Sequence, residues 1–276
     1  CSRTAVSGDF CSRKARTVAR NCSCSSVKAK FTGVILPAGP PGPPLGPGAA
    51  ARVAALLPRA PAWARARLPA MAGARVHWAD ADAEVHSIVV GPFDNNVFVV
   101  RCRTTGDAVL IDAANEHERL LELCRGLGVR RVLETHGHWD HIQAVPAMRE
   151  AGYEVAVASA DAPRLAEVGY DAFLDDAEVV EVGRLRLRAI HTPGHTEGSV
   201  CFALEGTPLL FSGDTLFPGG PGATSYEGGD FPTIIRSISE RLFALPDATI
   251  VLPGHGRDTT IGAERPQLDD WIARGW

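Results

Sequence analysis

The sequence lacks the features that would place it in a membrane or in an oxidising compartment. None of its apolar runs approaches the roughly 18 residues that a membrane-spanning helix requires. Four of its seven cysteines lie within the first 24 residues, and Cys102, Cys124 and Cys201 are isolated, so there is neither a CxxC pair nor the spacing of a disulfide framework. We therefore expect a soluble cytoplasmic protein with buried thiols and no membrane partner.

Acidic residues are almost absent from the first 70 residues. This stretch holds eleven of the chain's 28 Lys and Arg, whereas Asp9 is its one acid among the chain's 32 Asp and Glu. Residues 71–276 are left with 17 basic and 31 acidic residues, a net charge near −14. A body this acidic argues against a nucleic-acid partner.

The first 70 residues also have little that could form a hydrophobic core. The run "PAGPPGPPLGPG" has no glycine at every third position, which excludes collagen and indicates an extended linker. We expect residues 1–70 to be disordered. They would be an organelle transit peptide, making the protein organellar, or a basic tail for anionic surfaces. A third interpretation, which we favour, is sequence upstream of a natural start at Met71, with residues 71–276 as the folded domain.

From Glu84 onward, β-branched segments alternate with amphipathic segments. The segments typical of strands are "EVHSIVVG", "NNVFVVRC", "DAVLIDA", "VRRVLET", "EVAVASA", "EVVEV", "LRLRAIHT", "SVCFALEG", "PLLFSGD" and "TIVLPGH". The segments typical of helices are "NEHERLLELCRGLG", "QAVPAMREAG", "APRLAEVG", "FPTIIRSISERLFAL" and "AERPQLDDWIA". Strands in two groups, each followed by helices, predict a layered α/β fold with mixed sheets.

Metal-capable side chains follow four of these strands. The segment "THGHWDH", residues 135–141, crowds three histidines and an aspartate together, although the chain has only nine histidines. His195 in "HTPGHTEGS", Asp214 in "FSGDTLF" and His255 in "VLPGHG" each lie beside a glycine after another strand. Loops at strand ends are where sheets present functional groups. A lone histidine of this kind is usually only hydrogen-bonded, but four such places together indicate a metal centre.

The number of donors suits two metal ions better than one. The candidate ligands are His136, His138, Asp140, His141, His195, Asp214 and His255. A single zinc ion needs about four ligands, so seven fit two divalent cations that share one carboxylate. Imidazoles and carboxylates without thiolates fit Zn, which we favour, and also Fe or Mn. The histidines predicted not to bind metal are His77, His86, His117 and His191, the last of which would orient the loop of His195.

The segments "THGHWDH", "HTPGHTEGS", "GDTLF" and "PGHG", in this order, resemble the metallo-β-lactamase-fold hydrolases, and in particular the glyoxalase II (hydroxyacylglutathione hydrolase) branch. The resemblance covers about residues 84–262 and implies a four-layer αββα sandwich. It also implies that His136, His138 and His195 hold one metal, that Asp140, His141 and His255 hold the other, and that Asp214 bridges them.

Two departures limit the resemblance to glyoxalase II. That branch has a helical C-terminal domain that helps to bind glutathione, whereas 21 residues follow His255 here. The segment "GGPGATSYEGG" keeps Tyr226, Glu227 and Gly228 of the branch but not its Lys. Tyr226 would contact the substrate or pack its own loop. Fold and metal chemistry are therefore expected to carry over more fully than glutathione specificity.

The resemblance implies hydrolysis of a 2-hydroxyacyl thioester, such as S-lactoylglutathione. A hydroxide shared by the two metals would attack the carbonyl, and Asp140 would orient it as well as bind metal. The acyl group, the thiol and the oligomeric state stay open. The alternatives are a persulfide dioxygenase with one iron on His136, His195 and Asp214, a lactonase of the same fold, and a non-catalytic binding module. A β-lactamase or a ribonuclease is disfavoured.

Overall fold

The computed structural model describes residues 73–275. The disorder predicted for residues 1–70, and the choice among the three origins of that segment, lie outside the described residues. Between residues 73 and 275, no helix has the length and apolar character that crossing a bilayer requires. The three cysteines of this range are buried and unpaired, as predicted. Burial raises the pKa of the Cys124 thiol to about 12 and that of Cys201 to about 11.

Seven strands form the first sheet, neighbouring one another in the order of the chain. They are β1 (Arg75–Ala79), β2 (Ala83–Val90), β3 (Asn95–Cys102), β4 (Ala108–Ile111), β5 (Val129–Leu133), β6 (Glu154–Ala158) and β7 (Ala172–Leu174). The pairs from β1 to β4 are antiparallel, and those from β4 to β7 are parallel. Because side chains alternate along a strand, Val97 and Val99 of β3 face one side of this sheet and Phe98 and Val100 face the other.

Six further strands form the second sheet. They are β8 (Val179–Val182), β9 (Leu185–His191), β10 (Val200–Leu204), β11 (Leu209–Gly213), β14 (Ile250–Pro253) and β15 (Thr259–Thr260), and their order is β15-β14-β11-β10-β9-β8. The pair β11 and β14 is parallel, and the other pairs are antiparallel. The short strands β12 (Leu216–Phe217) and β13 (Gly220–Pro221) form a separate hairpin after β11.

Helices cover the outer face of each sheet. They are α1 (His117–Leu127), α2 (Trp139–Ile142), α3 (Val145–Glu150), α4 (Phe231–Ser237), α5 (Ile261–Glu264) and α6 (Leu268–Arg274), with 3-10 turns at Ala162–Leu165 and Arg265–Gln267 and a π turn at Ile238–Leu242. Leu123 of α1 and Met148 of α3 are buried on the first sheet, and Ile234 of α4 and Trp271 of α6 on the second.

A separate cluster of buried side chains fills the space between the two sheets. Phe98 and Val100 of β3 meet Phe202 of β10 and Phe211 of β11 there, and the rings of Phe98 and Phe211 lie 5.3 Å apart. Two sheets face to face, each covered by helices, confirm the predicted αββα sandwich.

The elements predicted from the sequence are present, with small differences. The segment predicted as one helix from Phe231 is α4 followed by the π turn, and "APRLAEVG" forms the 3-10 turn Ala162–Leu165. Strands β1, β7, β12, β13 and β15 were not predicted. The last three have only two residues each, and β1 and β7 have partly exposed side chains on both faces, so none shows a clear apolar alternation.

Four strands deliver the predicted ligands to one edge of the sandwich. The loop of His136 follows β5, that of His195 follows β9, Asp214 follows β11, and His255 follows β14. The last of these loops passes so close to its neighbours that a Cβ on Gly254 would collide with Asp214 Oδ1 and lie 2.8 Å from His141 Cε1. Glycine at this position lets the His255 loop reach the other three.

Candidate metal centre

All seven predicted donors lie together at this edge of the sandwich. They form three overlapping groups, within each of which the potential ligand atoms lie no more than 4.8 Å apart. The groups are His136, His138 and His195; His136, His141 and Asp214; and Asp140, His141 and His255. Five of the nine histidines and two carboxylates therefore share one small volume.

Hydrogen bonds orient four of the five rings with one nitrogen toward this volume. His195 Nδ1 donates to the Ala223 carbonyl at 2.7 Å, and His255 Nδ1 donates to the Phe93 carbonyl at 2.9 Å. His141 Nδ1 donates to Asp112 Oδ2 at 2.9 Å, and His136 Nδ1 lies 3.0 Å from Thr135 Oγ1. A neutral ring that donates through Nδ1 presents a lone pair at Nε2, which is the arrangement of a metal-binding histidine.

The inward atoms lack the partners that buried polar atoms normally have. Within residues 73–275, the buried His136 Nε2 and Asp214 Oδ1 have no hydrogen-bond partner. His138 Nδ1 lies 2.8 Å from His195 Nε2, and His141 Nε2 lies 3.2 Å from His255 Nε2. At most one proton can lie between the two nitrogens of each pair, whereas a cation at this place would take the lone pairs of both. The residues present thus fit bound metal ions.

Burial keeps three of the histidines neutral. Burial lowers the pKa of His136 well below its usual value, and His141 and His195 lower it further. Burial and the neighbouring His195 lower the pKa of His138 to about 4. For His195, burial lowers the pKa more than Asp214 raises it. At neutral pH these three rings offer lone pairs without first losing a proton.

The carboxylates of the centre are ionised, and against the effect of burial they raise the pKa of the remaining two histidines, His141 and His255. Burial opposes the charge of Asp140, but the bond with His255 and the proximity of His141 lower its pKa well below the usual value. The same histidines outweigh burial and lower the pKa of Asp214. Burial also opposes protonation of His141, yet Asp214 and Asp112 raise its pKa well above its usual value. The negative charges of Asp140 and Asp214 favour the binding of cations beside them.

Two buried acids beneath the predicted metal ligands, Asp112 and Glu134, were not predicted, and they accept hydrogen bonds that hold the His136 loop and its neighbours in place. Asp112 accepts hydrogen bonds from Thr135 N at 2.7 Å, from Thr135 Oγ1 at 2.9 Å and from the His141 ring. Glu134 is fully buried and accepts from Ala113 N at 3.1 Å, and burial and the nearby Asp112 raise its pKa well above the usual value. Both acids directly follow apolar strands in "VLIDA" and "VLET", the signal that identified Asp214.

Asp161 joins the two loops that carry His138 and His195. Its side chain is fully buried and accepts from Gly137 N at 2.7 Å, Thr196 Oγ1 at 2.7 Å and Gly198 N at 2.9 Å. A Cβ on Gly198 would lie 2.6 Å from Asp161 Cγ, so this contact requires glycine. Asp161 lies in neither motif, and no sequence signal marked it.

Residues at the start of β3, beside the β2–β3 turn, form hydrogen bonds with Asp140 and with the loop of His255. Asn95 Nδ2 donates to Asp140 Oδ2 at 2.9 Å, and Asn96 N donates to the Gly254 carbonyl at 2.7 Å. Asn95 therefore orients one predicted ligand, and Asn96 holds the loop of another, His255. No signal in the sequence indicated this role, because both partners are distant in the chain.

The four histidines predicted not to bind metal have other neighbours. His77 Nε2 lies 2.7 Å from Asp258 Oδ2, His86 lies beside Glu84, and His117 beside Glu118. His191 Nε2 donates to the Glu197 carbonyl at 2.9 Å, which links it to the loop of His195.

A pocket of about 760 Å³ opens directly onto the centre. Its lining residues are Phe93, His138, Trp139, Asp140, Arg164, His195, Asp214, Phe217, Ala223, Tyr226, Glu227 and His255. Tyr226 is 63% exposed, and its ring lies 5.7 Å from that of His138. A ligand in this pocket would contact Tyr226 and five of the predicted ligand groups at once.

Comparison with known proteins identifies one family that matches the chain and several similar proteins and structures. The family described as the metallo-beta-lactamase superfamily matches residues 90–255. Hydroxyacylglutathione hydrolase GloC of Haemophilus influenzae is 34% identical over 179 residues, which are 58% of this chain and 84% of GloC. The crystal structure of BLEG-1 B3 metallo-beta-lactamase is 31% identical, with a TM-score of 0.60 over 66% of this chain and 96% of that one. TTHA1623 in a di-iron-bound form is also 31% identical, with a TM-score of 0.59 over 65% and 96%.

Proposed function

The chain belongs to the metallo-beta-lactamase superfamily of metal-dependent hydrolases, and on that premise we propose that it hydrolyses a 2-hydroxyacyl thioester at a centre of two divalent metal ions. His136, His138 and His195 would hold one ion, and Asp140, His141 and His255 would hold the other. Similarity to GloC supports the thioester as the substrate class. Zinc is the favoured metal for these ligands, and the di-iron form of TTHA1623 makes iron the second choice.

The position of Asp214 between the two groups of ligands carries this proposal. Its Oδ2 lies 3.7 Å from His195 Nε2, in the first group, and 3.6 Å from His255 Nε2, in the second. Its Oδ1 lies 3.5 Å from His141 Nε2. A carboxylate that reaches histidines of both groups is what a bridge between two cations requires.

The side chains of the centre would divide the work of hydrolysis. Two cations held there would supply a water of lowered pKa and stabilise charge that develops on the carbonyl oxygen. Asp140, ionised and fixed by Asn95, accepts a hydrogen bond from the attacking water and orients it. The water gives one proton to solvent as its oxygen bonds to the carbonyl carbon. The C–S bond breaks, sulfur leaves with the electron pair as a thiolate, and the product acid keeps the second proton of the water. A thiolate is a good leaving group, so the pocket needs no strong general acid.

Thiol release from S-lactoylglutathione tests the proposal. The full chain, loaded with Zn or Fe(II), is compared with His255→Ala and with His117→Ala, a histidine outside the centre. Wild type and His117→Ala should release thiol, and His255→Ala should be slower by at least about 100-fold, because it loses a ligand. Oxygen uptake with a persulfide, or ring opening of a lactone or β-lactam, is measured beside it. Activity on one of these without thiol release contradicts the proposal, and inertness to all of them indicates a binding module.

A further inference from the structure

Aromatic side chains surround the mouth of the metal-centre pocket. Phe93 is 64% exposed, Trp139 is 61% exposed and Tyr226 is 63% exposed, and all three line the pocket together with the less exposed Phe217. Exposed apolar side chains that cluster at one place on a soluble domain usually mark a binding surface. The cluster continues into the predicted catalytic centre, so its occupant is the substrate itself.

The two sides of the pocket differ in chemistry. On the side of His255, the Phe217 ring stacks over the imidazole at 6.5 Å, and the Phe93 carbonyl accepts the bond from His255 Nδ1. On the side of His138 lie Tyr226, Arg164 and Glu227. One side therefore offers aromatic faces, and the other offers a phenol hydroxyl, a guanidinium group and a carboxylate.

Charge decides which substituent of the thioester lies on which side. Arg164 is the one Lys or Arg among the described residues that line the pocket, and it donates to the Glu227 carbonyl at 2.6 Å and to Glu197 Oε2 at 3.2 Å. Sulfur leaves as an anion, and an anion is stabilised near the guanidinium group. The thiol therefore points toward Arg164 and Tyr226, which leaves the acyl group on the side of Phe93 and Phe217.

We infer that the acyl group carries, in place of the methyl of lactoyl, a larger apolar substituent, aryl or branched alkyl, that packs against Phe93 and Phe217. The inference rests on the proposed thioester hydrolysis and adds the class of acyl group to it. Lactoyl would fill little of this aromatic surface, whereas a phenyl group would remove much of it from water. Discrimination by an apolar contact of this size is worth roughly tenfold or more.

A matched pair of substrates tests the inference. Lactoyl and mandeloyl thioesters of N-acetylcysteamine differ only in methyl against phenyl, and their uncharged thiol avoids any effect of a carrier's carboxylates. The metal-loaded full chain should show kcat/KM about tenfold higher for the mandeloyl thioester. Phe93→Ala should bring the ratio close to one, whereas Phe173→Ala, which removes an exposed ring outside the pocket, should leave the ratio unchanged. Equal rates in wild type, or a ratio that Phe93→Ala does not alter, overturn the inference.

Binding of the product acids separates failure of the inference from failure of the proposed function. Calorimetric titration of the metal-loaded chain with mandelate and with lactate needs no turnover. Mandelate should bind at least about fivefold more tightly, and Phe93→Ala should abolish the difference. Equal affinities overturn the inference whatever the enzyme hydrolyses. A preference for mandelate in a protein that cleaves neither thioester supports the aromatic acyl site and refutes the thioesterase.

Discussion

At the scale of single residues, the donors were predictable and their supports were not. His136, His138, Asp140 and His141 lie within six residues of one another, so their types and spacing alone indicate a metal site. Asp112 and Glu134 follow apolar strands as Asp214 does, but the residues that the supports hold are recognisable only through the fold. Asp112 lies 29 residues from His141, and Asn95 lies 45 residues from Asp140.

Asp112→Asn tests the support of His141. An asparagine side chain has one oxygen, so it cannot accept all the hydrogen bonds that the Asp112 carboxylate accepts from Thr135 and His141. The His141 ring therefore becomes a poorer and less well oriented ligand. We expect metal affinity to fall about 10- to 100-fold, as measured by competition with a chromophoric chelator. Asp258→Asn, which removes a carboxylate from His77 outside the centre, is the control. Equal metal affinity in Asp112→Asn and wild type would show that Asp112 has no such role.

The pKa of His138 predicts how acid affects the metal-free protein. An unfolded histidine protonates below about pH 6.5, whereas folded His138 stays neutral to about pH 4. The unfolded state therefore binds more protons between these values, and the free energy of unfolding falls as the pH falls. Relative to His138→Asn, wild type should lose about 1 kcal/mol between pH 7 and pH 5, allowing for partial exposure of the ring. Denaturant unfolding of chelator-treated protein at pH 7 and pH 5 measures both free energies of unfolding. If wild type loses no more unfolding free energy than His138→Asn between these pH values, the prediction is wrong.

At the scale of elements, strands were predicted better than the contacts between loops. Apolar alternation identified the long strands, while β1 and β7 escaped because neither has one clearly buried face. The 3-10 turn Ala162–Leu165 was expected as an ordinary short helix. Its function became visible only in three dimensions, since Asp161, just before it, bonds to Gly198, 37 residues away.

Asp161→Asn tests whether this residue holds the two ligand loops in register. Asparagine keeps the size of the side chain but turns an N–H group toward a backbone donor, which we expect to cost about 1–3 kcal/mol of unfolding free energy. Because the loops carry His136, His138 and His195, metal should be lost preferentially from that group. Co(II) spectra during stepwise loading report each site. Asp171→Asn, at an exposed ion pair with Arg149, is the control. Loss of stability with an unchanged order of loading would show a merely structural role.

At the scale of the whole molecule, the layered fold explains why the donors can meet. Two sheets packed face to face bring the ends of β5, β9, β11 and β14 to one edge, although they are separated by up to 120 residues. The αββα order of layers followed from the resemblance, because alternating segments predict a layered α/β fold without saying which strands share a sheet. The grouping of four aromatic side chains around the mouth of the pocket could not be predicted, since they come from three separate segments of the chain.

The most direct measurement of the central claim is an anomalous-difference map from a crystal of the metal-loaded protein, collected at the absorption edge of the bound metal. Asp214 should lie between two peaks, one among His136, His138 and His195 and the other among Asp140, His141 and His255. A single peak ligated only by His136, His195 and Asp214, or no peak at this edge of the sandwich, would contradict the two-metal centre.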